Sequence, residues 1–164
     1  MERCAEELLI RVGMGEGAVA RRPDAVLVAA GLGSCVALVV HSARPLMGGM
    51  AHVMLPRAFG DGLSPFKFAD TAVPTLLRAF EDAGADLGAA AVHLVGGAAM
   101  LGLAPDSPLN VGARNLRVVR DQLRALGVRV RAEAVGGNVS RTVSLYVGTG
   151  RVVVRTAGGE EQEL

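Results

Sequence analysis

The stretch Cys35-Val36-Ala37-Leu38-Val39-Val40-His41-Ser42-Ala43-Arg44-Pro45-Leu46-Met47-Gly48-Gly49-Met50-Ala51-His52-Val53-Met54-Leu55-Pro56 decides how the rest of this chain folds. Cys35 to His41 is an apolar run rich in β-branched residues, Ser42-Ala43-Arg44-Pro45 is a turn, and Met47 to Leu55 is a returning strand closed by Pro56. Upstream, Ala25 to Ala29 forms another buried strand, joined to Cys35 through the tight glycine turn Gly31-Leu32-Gly33-Ser34. Further back, Glu7 to Val12 is expected to pair with Ala18 to Arg21 across Gly13-Met14-Gly15-Glu16-Gly17.

Downstream, residues 57 to 68 form a loop holding Gly60, Gly62 and Pro65. Asp70 is an N-cap for a helix to about Ala83, with Val73, Leu76, Leu77 and Phe80 on one face and Gly84 as its stop. Pro74 falls in its first turn, where a missing N–H is tolerated. Ala89 to Val95 is a strand ending in Gly96-Gly97, and Asn110 caps a second helix to about Leu126, ended by Gly127. Val128 to Val135 alternates, with Val128, Val130, Ala132 and Ala134 facing inward, and Gly136-Gly137-Asn138 turns the chain. Arg141 to Val147 and Arg151 to Thr156 make a hairpin across Gly148-Thr149-Gly150. The sum is a single-domain α/β sandwich over residues 1–156, of mixed, largely antiparallel sheet with two main helices, followed by a flexible C-terminal tail over residues 157–164.

Composition limits what such a domain does. The chain has 164 residues, 51% hydrophobic and 20% charged, but only 3% aromatic, with mean hydropathy +0.38. Intrinsic disorder is excluded by the apolar content and the near-balanced net charge of +1. With no Trp and one Tyr there is no stacking platform for single-stranded nucleic acid. The bases, all Arg except Lys67, are scattered and describe a solvated surface, so no nucleic-acid partner is expected. Two uncharged stretches, Ala25 to Val40 and Leu87 to Pro105, raise the question of membrane insertion. The first is too short to cross about 30 Å as a helix, and glycines interrupt both, so both are buried strands. No apolar leader opens the chain, and two Cys without one point to reduced thiols, so a cytoplasmic location is expected.

The residues with chemistry are Cys4, Cys35, His41, His52 and His93. Cys4 lies in a charged segment without a partner, His93 inside an apolar strand, and His41 beside a turn that exposes it. Cys35 and His52 differ, because they flank the hairpin. With its turn centred near Ala43-Arg44 they stand directly opposite, on one face, with Cβ atoms about 5 Å apart. A one-residue slip would put them on opposite faces. Three readings stand: a nucleophilic thiol sharing a proton with an imidazole, a small apolar Cys opposite a structural His, or two ligands of a metal. The metal reading lacks any Cys-x-x-Cys or His-x-x-x-His spacing, and no phosphate loop follows Gly31-x-Gly33. Gly31 and Gly33 permit close substrate approach, and the turn through Gly33, Ser34 and Cys35 can aim backbone N–H groups at a developing oxyanion.

Gly31-Leu32-Gly33-Ser34-Cys35-Val36, with Gly48-Gly49-Met50-Ala51-His52-Val53-Met54-Leu55-Pro56 at that separation, resembles the chemoreceptor glutamine deamidase family, CheD. The likeness continues through Phe68-Ala69-Asp70, Gly96-Gly97-Ala98, Val111-Gly112-Ala113-Arg114-Asn115 and Gly136-Gly137-Asn138, over roughly residues 8 to 156. It implies a hydrolase, a protein-glutamine glutaminase without cofactor or metal, that converts glutamines of methyl-accepting chemotaxis receptors to glutamate. Cys35 would be the nucleophile and His52 the general base and acid. It also implies an α/β sandwich similar to the deamidase domain of a cytotoxic necrotizing toxin, and a CheC-type response-regulator phosphatase as partner. Glutamyl methyl esters would pass through the same acyl-enzyme. Two positions depart from the family pattern: the Thr that orients the His is Ala29 here, and a glycine before Arg141 is Ser140. Ala29 keeps a second reading open, a regulator that binds receptor or phosphatase without catalysis; a third is a redox-sensing thiol, with Cys4 as the resolving partner.

Overall fold

The structure, a computed structural model, describes residues 6–164, so Cys4 lies outside the described residues. In chain order it contains β1 (Leu8–Arg11), β2 (Gly17–Ala20), β3 (Ala25–Leu32), β4 (Val36–Ala43), β5 (Leu46–Val53), α1 (Ala69–Asp82), β6 (Ala91–Gly96), α2 (Val111–Ala125), β7 (Ala132–Val135), β8 (Arg141–Tyr146), β9 (Arg151–Thr156) and β10 (Glu161–Glu163). A single 3-10 turn, Pro65–Lys67, breaks the loop before α1.

The strands form two five-stranded sheets, one in the order β1-β3-β8-β9-β10 and the other β2-β5-β4-β6-β7. The β1/β3 and β6/β7 pairs are parallel and the remaining pairs antiparallel, so the mixed, largely antiparallel sandwich expected from the sequence is the one observed. Both helices lie on the outer face of the second sheet, giving three layers: helices, central sheet, outer sheet.

The central sheet explains the apolar runs. Along β4, Val36, Leu38 and Val40 belong to the core under the helices, whereas Ala37 and Val39 belong to the core between the sheets. A strand covered on both faces has no polar side to alternate with. The outer sheet has one covered face, and its strands alternate: Val143, Leu145, Val152 and Val154 are buried, while Thr142, Ser144 and Arg155 face outward. Burying such a side chain contributes about 1.5–3 kcal/mol, so each layer interface is sizeable.

Several local expectations are corrected. β1 and β2 do not pair with each other. β1 joins β3 in the outer sheet and β2 joins β5 in the central one, so Gly13 to Glu16 carries the chain across from sheet to sheet. The turn Leu32 to Cys35 makes the same crossing from β3 to β4. Phe68, not Asp70, holds the N-cap position of α1; the Asp70 carboxylate instead accepts from the Ala58 N–H at 2.9 Å, and Pro74 lies beyond the first turn. Asn110 caps α2 as expected, accepting from the Ala113 N–H at 3.0 Å. Val128 and Val130 pack beneath the helices whereas Ala134 faces the outer sheet, so the alternation from 128 to 135 spans two cores. Residues 157–164, expected as a tail, turn back, and β10 pairs with β9. Among the described residues no helix is long and apolar enough to cross a membrane.

Candidate active site

Each of the two crossings between sheets serves one candidate: residues 12–16 bond to His52, and the turn that leaves β3 ends at Cys35. The β4–β5 connection is Arg44-Pro45, with Ala43 paired to Leu46. The turn is thus centred one residue later than expected, and every partner moves by two. Ala37, not Cys35, stands opposite His52, and Cys35 precedes the first residue of β4. An even shift preserves the face. Cys35, Ala37 and Met50, the residue two before His52, all belong to the core between the sheets.

His52 is 1% exposed, and its Nδ1 lies 3.0 Å from the carbonyl oxygen of Val12. A carbonyl only accepts, so Nδ1 carries the proton and Nε2 holds the lone pair. That Nε2 is buried and has no hydrogen-bond partner among the described residues, the Cys35 thiol included. The backbone of His52 is fixed as well: its N–H donates to the Glu16 carbonyl and its carbonyl accepts from the Gly15 N–H, both at 2.9 Å. The crossing between β1 and β2 therefore holds this imidazole through three bonds. Ala29, in β3, is fully buried in the same core and contributes only a methyl. The group that orients the imidazole here is the Val12 carbonyl.

Cys35 is 8% exposed, and burial pushes its thiol pKa upward, so the thiol is the resting form at neutral pH. A base at hand is then needed to make the thiolate. The Cys35 carbonyl is tied down by the Gly97 N–H at 2.8 Å, and the Gly33 carbonyl by the Ala98 N–H at 2.8 Å. Gly96 explains how these chains come so close: a Cβ there would collide with the Cys35 carbonyl oxygen. Among the described residues, the N–H groups of Ser34 and Cys35 donate to nothing in the fold. Gly33, Ser34 and Cys35 thus present the turn with its carbonyls engaged and two donors free. Ser34 borders a hollow of about 140 Å³ walled by Met100, Leu101 and Leu109, three exposed apolar side chains.

The remaining titratable candidates stand apart. His41 is buried rather than exposed, with Nε2 at 2.8 Å from the Val147 carbonyl. His93 is 2% exposed with both ring nitrogens unpartnered among the described residues, and desolvation above all, with Arg131 and His41 nearby, lowers its pKa. Among the described residues no group of three or more His, Cys, Asp and Glu side chains is placed to hold a metal ion.

Sequence reasoning passed over Val12 and gave Asn115 no task. Asn115 is fully buried in α2, and its Nδ2 donates to the carbonyls of Ser34 and Met54, each at 3.0 Å. No sequence signal marks Val12, whose part is played by its backbone. Asn115 did leave one: a poor helix former placed on the inner stripe beside Leu116 and Val119.

With this geometry in hand, comparison with known proteins is specific. A family model described as CheD chemotactic sensory transduction matches residues 54–156. A protein of Symbiobacterium thermophilum named probable chemoreceptor glutamine deamidase CheD is 44% identical over 164 residues, covering 98% of this chain and 99% of that protein. The chain belongs to the CheD family. The chemoreceptor glutamine deamidase CheD of Thermotoga maritima is 41% identical over 92% of this chain and 94% of its own. A probable CheD of Methanococcus vannielii is 38% identical over 90% of this chain and 95% of its own. The family model begins beyond Cys35 and His52, whereas these relatives align over nearly the whole chain and so include the CheD segment that holds both.

Proposed function

We propose that this protein is a chemoreceptor glutamine deamidase, hydrolysing the carboxamide of particular receptor glutamines to glutamate. The observation that carries the reading is the His52 imidazole, whose Nδ1 is held by the Val12 carbonyl and whose Nε2 is left free on the face where Cys35 lies. The names borne by the relatives supply the substrate class.

In this mechanism Nε2 of His52 takes the Cys35 thiol proton as sulfur attacks the carboxamide carbon. The C=O pair becomes an oxyanion facing the free N–H groups of Ser34 and Cys35. The imidazolium returns its proton to nitrogen, the C–N bond breaks, and ammonia leaves a thioester. Water then gives a proton to His52 as its oxygen attacks, the C–S bond breaks, and glutamate and thiol are restored. A glutamyl methyl ester fits the same sequence with methanol as leaving group. The apolar Met100, Leu101 and Leu109 beside Ser34 suit a helical protein substrate better than a free amino acid. A CheC-type phosphatase is the second partner we propose, on the family likeness, and a cytoplasmic location follows from that substrate.

Ammonia release from purified receptor fragments tests the reading. The unaltered protein should release it, and Cys35→Ala and His52→Ala should each lower the rate by a factor of roughly 10³ or more. An unaltered protein that releases none would leave Ala29 as the mark of a binding regulator.

A further inference from the structure

Asn115 stands outside the reaction just described, yet it touches both halves of the site. It lies in α2 with no exposed surface, and among the described residues its Nδ2 donates to the carbonyl oxygens of Ser34 and Met54, each at 3.0 Å. Ser34 precedes the thiol, and Met54 follows His52 by two residues. Two carbonyls at one nitrogen identify that atom as the amide nitrogen and use both of its protons. Oδ1, equally buried, has no partner among the described residues. Those two bonds are therefore made at the cost of an orphaned buried acceptor.

The approach that makes these bonds possible is itself built in. Gly112 opens the first turn of α2, where a Cβ would sit 2.5 Å from the Ala98 carbonyl oxygen and 2.7 Å from the Gly97 carbonyl carbon. Glycine therefore lets the helix rest on the backbone of residues 97–98, and Asn115, three residues on, reaches the nucleophile turn.

The Ser34 carbonyl and the Cys35 N–H belong to one peptide unit. That unit is planar and trans, so its C=O and N–H point in opposite directions. Whatever fixes the carbonyl fixes the donor. We infer that Asn115 is a positioning residue: by holding the Ser34 carbonyl it aims the Cys35 N–H at the oxyanion, and by holding the Met54 carbonyl it keeps the His52 strand in register with that donor. This rests on the deamidase reading for the identity of the oxyanion, and on hydrogen bonds alone for the orientation.

Three measurements on the full chain test it. In Asn115→Leu and the isosteric Asn115→Asp, kcat for ammonia release should fall by roughly 10²–10³, the loss associated with one oxyanion donor, with KM little changed. A peptide aldehyde, which forms a tetrahedral hemithioacetal on Cys35, should bind more weakly by a similar factor. Alkylation of Cys35 by iodoacetamide generates no oxyanion and should stay within about threefold of the parent. A kcat unchanged in either variant overturns the inference, and so does alkylation that falls as far as kcat, which marks general disruption of the site. Should neither variant fold, the Cys35 amide of the unaltered protein decides. It should exchange freely with solvent and shift downfield when the aldehyde binds; protection in the free protein would overturn the assignment. Aldehyde binding and amide exchange are read without receptor, so failure of the deamidase reading shows separately, as an unaltered protein that binds the aldehyde but releases no ammonia.

Discussion

Ala29 offers the imidazole no hydroxyl, and it is the Val12 carbonyl that meets the His52 Nδ1. The Val12 N–H donates to the Val28 carbonyl at 2.8 Å, which seats Val12 beside β3, and its own carbonyl takes the His52 Nδ1 proton. Introducing a hydroxyl at this position should therefore gain nothing. Ala29→Thr should leave kcat for ammonia release within about threefold while lowering stability by about 1–3 kcal/mol, because a larger, polar side chain enters a filled core. Denaturant melts and turnover measured side by side check this, and a tenfold gain in kcat would refute it. His93 makes a different prediction. Its pKa is depressed in the fold by desolvation first, then by Arg131 and His41, so the folded state resists a proton that the unfolded chain accepts near pH 6.5. The stability it contributes is present above that value and lost as pH falls toward the lower folded value. His93→Leu should melt no lower than the parent at pH 7.5 and lose less on acidification to pH 5.5. An equal acid loss in parent and variant would rule His93 out as the cause.

Among the elements, β5 shows how a strand is fitted between two layers. Gly48 faces the outer sheet, where a Cβ would stand 2.7 Å from a Val147 methyl, and Gly49 faces α1, where it would stand 2.7 Å from the Phe80 ring. Neither glycine has a positive φ, so the demand is for space alone. Gly48→Ala should cost about 1–3 kcal/mol by overpacking, and Val147→Ala in the same chain should recover part of it. Denaturant unfolding of the two single variants and the double variant measures the coupling, and strictly additive losses would contradict it. How far these elements were legible follows from the same geometry. Strands β4 to β6 stand out as apolar runs between glycines, because burial on two faces leaves a strong compositional trace, and both helices stand out by a single apolar stripe between caps and glycine stops. Partner choice leaves none: β1 and β2 look like a hairpin in sequence, and only the docking of two sheets separates them. The hairpin register depended on which residues form the turn, and a one-residue difference at Arg44-Pro45 displaced His52 from opposite Cys35 while keeping it on the shared face. The Val12 carbonyl was invisible because backbone acceptors carry no residue signature.

For the molecule as a whole, cohesion comes from the two apolar cores rather than from charge. The ion pairs among the described residues, such as Arg151 with Glu163 and Arg155 with Glu161 at the β9–β10 edge, have solvent-exposed partners. Exposed pairs contribute about 0–1 kcal/mol each and are screened by salt. Raising NaCl from about 0.05 to 0.5 M should thus move Tm by no more than about 3 °C. A fall of 10 °C would show that surface charge carries more of the stability than the cores imply. The carboxylates of β10 serve better as edge protection, since Glu161 and Glu163 place charge along the outermost strand.

The two glycine crossings have a consequence for the life of the chain. Val12 and Cys35 each lie where the backbone leaves the outer sheet for the central one, and Asn115 reaches the neighbouring Ser34 and Met54 carbonyls from a helix much later in the sequence. No single sheet, hairpin or helix contains the imidazole, its acceptor and the thiol turn together. A chain still being synthesised, or one opened by partial unfolding, therefore carries an ordinary cysteine. The proposed reactivity arises only where both sheets and α2 are docked together, which makes activity itself a reporter of complete assembly.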